Sequence, residues 1–315
     1  MATAEQIKSL IRAFSDNDEE NFKSVVLQIA AYEAKDGNVP LARELKAELA
    51  KASGTRAKTR HLRGMDQSLL TVTPHQRLRD LIAPDDLRER IRRVLRDFID
   101  RRKLERYGMF NRRKILLAGH PGTGKTLTAH VIATELHLPL FVAQMDKPVT
   151  RCLGKSGARL RKIFDCVNNV VGVYLFDDFE AIGSDRSPGN EVGETRGILN
   201  PFLRFLGQQL SHSIVIVTTD NTNILDKALL LRFDDVLRYH LPSKTEIERL
   251  FSHKLGAFDP KFKPSPALLS KASPLSHAEI SRICGDAIKE AILTDQTNVC
   301  EEVLLSLLEE RLTAY

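Results

Sequence analysis

The stretch Gly119-His120-Pro121-Gly122-Thr123-Gly124-Lys125-Thr126 fits the pattern G-x-x-x-x-G-K-[ST]. It lies between the apolar run Ile115–Ala118 and a helical stretch that begins at Leu127. That layout is a phosphate cradle. Glycine has no β-carbon, so Gly119, Gly122 and Gly124 let the backbone curl until successive N–H groups face one point. The helix that follows adds the positive end of its dipole. In such a loop Lys125 sets a point charge on the β- and γ-phosphates, and the Thr126 hydroxyl ligates Mg²⁺. His120, Pro121, Thr123 and Leu127 lie within or next to the loop and are assigned to the same binding surface. The ligand implied is a nucleotide, ATP or ADP, with Mg²⁺.

A second apolar run, Val173-Tyr-Leu-Phe-Asp177-Asp178, ends in two carboxylates. If both runs are strands of one parallel sheet, their carboxyl ends share a crevice with the phosphate loop. Asp177 is then the group that holds Mg²⁺, mostly through water, because Mg²⁺ dehydrates reluctantly. The next position is where a water-activating glutamate is expected, and Asp178 stands there. A side chain shorter by one methylene, roughly 1.5 Å, matters because a misplacement of about 1 Å costs on the order of 100-fold in rate. Two readings stay open for Asp178: the base itself, or the mark of a slow, switch-like site. Glu180 is a further carboxylate two residues on, and it is set behind Asp178 as the candidate base.

The rest of the chain fits around these two stretches. Lys114–Ala118, Leu140–Ala143, Val171–Phe176, Ile214–Thr219 and Val236–His240 read as strands with helices between them. The expected fold class is α/β: a P-loop parallel five-stranded sheet with helices on both faces. After Leu241-Pro242 only helical patterns remain, at Thr245–Leu255, Ala278–Thr294 and Glu301–Leu312, which make a small all-helical domain. Upstream, a helix over residues 84–106 carries Leu87, Ile91, Val94, Leu95, Phe98 and Ile99 as its buried stripe, with arginines mostly outside it. The domain boundaries expected are 1–52 for a small helical N-terminal module, 53–75 for a basic linker, 76–242 for the α/β domain and 243–315 for the helical lid.

Composition narrows the class. The chain of 315 residues is 42% hydrophobic and 28% charged, which suits a folded protein and excludes a disordered or collagen-like one. No apolar run approaches the roughly 18 residues of a membrane helix, and Met1-Ala-Thr-Ala-Glu-Gln has no signal-peptide character, so a cytoplasmic location and no membrane partner are expected. The four cysteines are far apart, as in a reduced protein, and the nine histidines form no zinc-type cluster. The net charge of +6 is uneven: residues 1–50 are acidic, and the excess begins over residues 51–66 with Lys51, Arg56, Lys58, Arg60 and Arg63.

With both motifs in place, residues of roughly 76–312 resemble an AAA+ ATPase of the AAA clade. The nearest group is the bacterial stand-alone members with a short helical N-terminal region. Asp177-Asp-Phe-Glu-Ala-Ile-Gly183 resembles the family's Asp-Glu-x-Asp-Ala-Ile-Gly. Thr219-Asp220 stands at its Thr-Asn sensor, and Leu225-Asp-Lys-Ala-Leu-Leu-Leu-Arg232-Phe-Asp234 resembles its Leu-Asp-Pro-Ala-Leu and Arg-Phe-Asp. Leu275-Ser-His-Ala-Glu-Ile280 resembles the lid motif Phe-Ser-Gly-Ala-Asp-Leu.

The resemblance implies a homo-oligomeric ring, commonly a hexamer, in which Arg232 acts as a finger on the neighbour's γ-phosphate. It implies that Asp220 serves as the sensor, although a carboxylate only accepts hydrogen bonds where the family's Asn also donates. It puts Ser276, His277 and Ala278 at the adenine and ribose pocket, and Asp80 and Ile82 in the segment whose backbone meets the adenine. His277 reads equally as a helix-start residue. The second arginine of the family is missing, since Leu229, Leu230 and Leu231 occupy that stretch. At the pore tripeptide, Cys152 of Arg151-Cys152-Leu153-Gly154-Lys155 replaces the aromatic residue.

Three functions compete on these grounds. The leading one is a Mg²⁺-ATP-dependent ring that remodels proteins or protein complexes, its unidentified client recruited by residues 1–50. The others are an ATP-gated scaffold with slow hydrolysis and a loader-type protein that binds nucleic acid through the basic linker.

Overall fold

The computed structural model describes residues 25–27, 29–30, 32–33, 41, 43–45, 68–144, 153–179, 196–209, 211–220 and 230–313. The chain divides into two compact units, Met1–Met65 and Asp66–Tyr315. In the first, the described residues are helical, and Val25, Ile29, Ala30 and Glu33 are buried at helical spacing. The basic stretch 51–67, Arg151 and Cys152 of the tripeptide region, Glu180 and the run 221–229 lie outside the described residues.

In the second unit the order is β1 (Leu69–Val72), α1 (Asp85–Ile99), α2 (Arg101–Glu105), β2 (Lys114–Gly119), α3 (Lys125–Glu135), β3 (Leu140–Ala143), α4 (Leu153–Asn169) and β4 (Val173–Phe176). There follow α5 (Arg196–Gly207), β5 (Ile214–Thr219), β6 (Asp235–Tyr239), α6 (Lys244–Leu255), α7 (Pro266–Ala272), α8 (His277–Leu293) and α9 (Glu301–Thr313). The strands form one six-stranded sheet in the order β1-β3-β4-β5-β2-β6, and β1 alone runs antiparallel to its neighbour.

The five expected strands are all present and parallel, so the sheet is of the doubly wound type. The sixth is a correction. Leu69–Val72 falls inside the stretch read above as a linker and pairs with β3, Leu69 opposite Ala143 and Val72 opposite Leu140. Four residues, Leu-Leu-Thr-Val, are too few to display an alternating pattern, and only the free edge of β3 makes them a strand.

Alternation along the inner strands sends side chains to both faces. Val173 and Leu175 join the core beneath α1 and α3, with Ile115, Leu117, Ile214, Ile216, Ile91 and Ile132. Tyr174 and Phe176 point the other way. There Phe176 packs on Phe164 of α4 and Phe202 of α5, with ring centroids 5.8 and 5.1 Å apart. The buried Tyr174 hydroxyl donates to the carbonyls of Cys166 and Val170 at 3.0 and 2.8 Å.

The long helix expected over 84–106 is two helices that meet at Asp100, whose φ of −90° and ψ of 13° leave the helical range. Ile99, assigned above to the buried stripe, is 66% exposed, because the stripe ends with Phe98 where α1 stops. The helical lid has its own core, in which Leu250, Phe251, Leu268, Ile280, Ile283 and Leu304 meet. Its helix α7 has no counterpart in the sequence reading; it is short and is started by Ser265 with Pro266 in its first turn. Among the described residues no helix is long and apolar enough to cross a membrane.

Candidate active site

The phosphate loop runs from the end of β2 to the start of α3, and its shape depends on glycine. Gly119, Gly122 and Gly124 have φ of +147°, +71° and +103°, a range that other residues rarely enter. Gly119 is also constrained by packing, since a β-carbon there would lie 1.9 Å from the Tyr239 carbonyl oxygen on β6. Behind the loop Thr128 shares a 2.6 Å hydrogen bond with the Tyr239 hydroxyl, which burial makes a weaker acid than a free tyrosine.

Lys125 is 6% exposed and folds back under the loop. Its Nζ donates to the carbonyls of Gly119 and His120 at 2.8 and 2.7 Å and pairs with Asp220 Oδ1 at 2.6 Å. Thr126 Oγ1 lies 3.1 Å from both carboxylate oxygens of Asp177. The residues chosen from two separate motifs therefore meet at one point.

A third residue, which no motif marks, connects them. Thr218 is buried next to the end of β5, and its Oγ1 donates to Asp177 Oδ1 at 2.5 Å while it accepts from the Asp178 N–H at 3.0 Å. The only hint in sequence is a hydroxyl inside the run Ile214–Thr219. Asp178 itself has φ of +50° and is exposed. Aspartate enters that backbone region several times more readily than most residues, so the local geometry suits Asp better than a longer acid.

Above the loop the lid closes the site. Ser276 caps α8 in a reciprocal arrangement: its Oγ accepts from the Glu279 N–H at 3.3 Å, and the Glu279 carboxylate accepts from the Ser276 N–H at 2.8 Å. The Ala278 N–H then donates to the Gly122 carbonyl at 2.9 Å, joining lid to loop. The segment Leu81-Ile82-Ala83 stands between the two cores. Leu81 and Ala83 belong to the core of the sheet and Ile82 to that of the lid, so an extended stretch supplies both by alternation.

Together these parts enclose a cavity of about 480 Å³, within the usual range for small-molecule sites. Asp80, Leu81, Ile82, Pro121, Gly122, Thr123, Gly124, Lys125, Thr126, Leu127, Asp177, Asp178, Asp220, His277 and Ala278 line it, as do Leu250, Lys254 and Ser281, which the sequence reading did not select. One end is charged and carries the curled loop; the other is apolar, with Leu81, Ile82 and Leu250. That donor set fits a nucleotide, with phosphates in the loop and a flat base beneath the lid.

His277 is the first helical residue after its Ser276 cap, and both of its ring nitrogens are buried without a hydrogen-bond partner. Burial pushes its pKa below the ordinary histidine value, with Glu246 pulling weakly the other way. His130 on α3 is also depressed by burial, against the opposing pull of Asp177. Arg232 is not among the residues that line this cavity; it is exposed on the turn before β6, beside Gly207.

Residues 115–241 match the family model described as "ATPase family associated with various cellular activities (AAA)". An uncharacterized AAA family ATPase of Sinorhizobium fredii is 30% identical over 96% of this chain and 93% of its own length. A 26S proteasome regulatory subunit homolog of Methanothermobacter thermautotrophicus is 25% identical over 74% of the chain and 63% of its own length. An ATP-dependent zinc metalloprotease FtsH 3 of Sphaerobacter thermophilus is 29% identical over 71% of the chain, which spans about half of that relative, 47%.

Proposed function

Because this chain belongs to the AAA family of ATPases, we propose that it is a Mg²⁺-dependent ATPase that works as a ring of identical subunits and remodels proteins or protein complexes. The observation that carries the hydrolytic part is the convergence of Lys125, Thr126, Asp177 and Asp178 on one cavity, with Thr218 bonded to both aspartates. In this reading Lys125 and the loop N–H groups hold the β- and γ-phosphates, and Thr126 with Asp177 hold Mg²⁺. The ion would supply charge neutralisation on the phosphate oxygens. Thr218 keeps the Asp177 carboxylate turned toward Thr126 and fixes the backbone of Asp178, which accepts a proton from the attacking water.

Oligomerisation is supported by the position of Arg232. An arginine that serves its own site would line that cavity; an exposed one outside it is available to a neighbour. A hexamer is the ring size we infer from the resemblance. Protein remodelling is supported by relatives named as a proteasome regulatory subunit homolog and an ATP-dependent protease.

A second reading, an ATP-gated scaffold with slow turnover, is favoured by Asp178, which is one methylene short and held at a positive φ. Steady-state ATP hydrolysis per subunit, measured against protein concentration in Mg²⁺, separates the two. A rate that climbs with concentration supports sites completed between subunits. A rate at background at every concentration, in protein that binds ATP, rejects the hydrolytic ring and leaves the scaffold.

A further inference from the structure

We propose that the turn after α2 is a contact surface for an anionic lipid bilayer: Tyr107, Met109 and Phe110 enter its interfacial layer while the surrounding arginines and lysines meet the headgroups. The inference goes beyond the ATPase reading and does not depend on it. It needs no helix that crosses the membrane, and it departs from the expectation of no membrane partner.

Apolar exposure is concentrated there. Tyr107, Met109 and Phe110 are 78%, 62% and 64% exposed, and Ile99, at 66%, ends α1 a short distance before them. The five residues of α2 between span roughly 7.5 Å. Large apolar side chains grouped on a folded surface mark a contact site. Gly108 turns the chain with φ of +70°, and a β-carbon there would meet nothing within 4 Å, so the turn stands clear of the body. Its backbone donors are already satisfied. The N–H groups of Tyr107 and Met109 donate to the Leu104 carbonyl, both at 3.0 Å, and that of Gly108 donates to the Glu105 carbonyl at 2.9 Å. A turn that needs no water for these donors enters an apolar layer at little cost.

Charge selects the partner. Residues 100–113 hold six cationic side chains, Arg101, Arg102, Lys103, Arg106, Arg112 and Arg113, against Asp100 and Glu105, a net +4. Arg112 is tied to Asp97, and the Arg113 guanidinium lies 4.8 Å from the centroid of the Phe110 ring. Arg102, Lys103 and Arg106 are exposed, next to the apolar tips in the chain. Apolar tips within a cationic collar are complementary to a surface that is apolar inside and anionic at its rim, as a bilayer with acidic headgroups is. A nucleic acid would engage the arginines, but Met109 and Ile99 have no flat face on which a base could stack. The turn leads into the amino end of β2, and the six residues of that strand, roughly 20 Å, separate it from the phosphate loop. A bilayer met at this end stays away from the nucleotide cavity.

The test is cosedimentation of the full chain, without nucleotide, with vesicles of phosphatidylcholine alone and of phosphatidylcholine and phosphatidylserine in equal parts. The chain is expected to bind the anionic vesicles at least about tenfold more tightly. That preference should fade as salt rises from about 0.1 to 1 M, where the Debye length falls from about 10 to 3 Å. The double substitution Met109→Ser with Phe110→Ser is expected to cost about tenfold or more in binding, and so is the triple substitution Arg102→Gln, Lys103→Gln and Arg106→Gln. Melting temperatures check folding, and at such exposed positions they stay near wild type. Vesicle binding that is absent in the wild type, or that either folded variant keeps in full, overturns the proposal. So does binding of a single-stranded oligonucleotide through the same arginines without binding to vesicles.

Discussion

Ser276 and Gly122 are in contact across the joint between lid and phosphate loop: a β-carbon on Gly122 would come within 2.6 Å of the Ser276 Oγ. Ser276 also caps α8, so it is held from behind and has no room to retreat. Gly122→Ala forces an alanine into a φ of +71° and pushes the lid off the loop. It is expected to weaken ATP binding by about tenfold or more, for a loss of at least ~1.4 kcal/mol. Calorimetric titration checks this. At Gly119 the obstacle is the Tyr239 carbonyl of β6, so Gly119→Ala is expected to cost more than about 2 kcal/mol of stability, seen as a melting point lowered by several degrees.

Thr218 joins two carboxylate positions that different motifs supply. Thr218→Val keeps the shape and removes the hydroxyl, taking one acceptor from the Asp178 N–H and one of its donors from Asp177, which keeps Thr126. Partners of this kind behind a metal ligand are worth about 10–100-fold in activity or metal affinity. The Mg²⁺ dependence of ATP hydrolysis should move to higher concentration in Thr218→Val and recover in Thr218→Ser. An unchanged dependence would remove Thr218 from the machinery.

Arg232 gives a test that depends on the neighbour. Arg232→Ala is expected to keep ATP binding and lose on the order of 10³-fold in turnover, as for arginine fingers elsewhere. Mixing it with Lys125→Ala subunits should restore part of the activity, because some interfaces then pair an intact loop with an intact arginine. Absence of any recovery in mixed assemblies would argue for a role within one chain.

His277 and His130 both have pKa values depressed by burial. The unfolded chain then binds protons first as pH falls, so the stability these groups contribute is present above the unfolded value of about 6.5 and is lost below it, down to each folded pKa. Each contributes at most about 1.4 kcal/mol per pKa unit of depression. His277→Gln should flatten the fall in melting temperature between about pH 7 and 5, and His130→Gln should flatten it further. A slope unchanged in both variants would locate the acid sensitivity elsewhere.

The phosphate loop was legible in sequence because its chemistry is local. Gly119, Gly122, Gly124, Lys125 and Thr126 are neighbours in the chain, and the positive φ values demanded of the glycines are written in their identity. Asp177 was legible for the same reason, as a charge at the end of an apolar run. Strand β1 and helix α7 were not, because they are too short to carry a period and exist by pairing or capping.

The sequence alone determined the class of fold, the loop and the acidic strand end, since each depends on residue types within one short stretch. Only the tertiary structure decided that Thr218 bridges Asp177 and Asp178 and that Leu81 and Ile82 serve different cores. It alone decided that Asp220 forms an ion pair with Lys125. Those relations join residues far apart in the chain, and they follow from strand order and register, which a single strand's sequence does not contain.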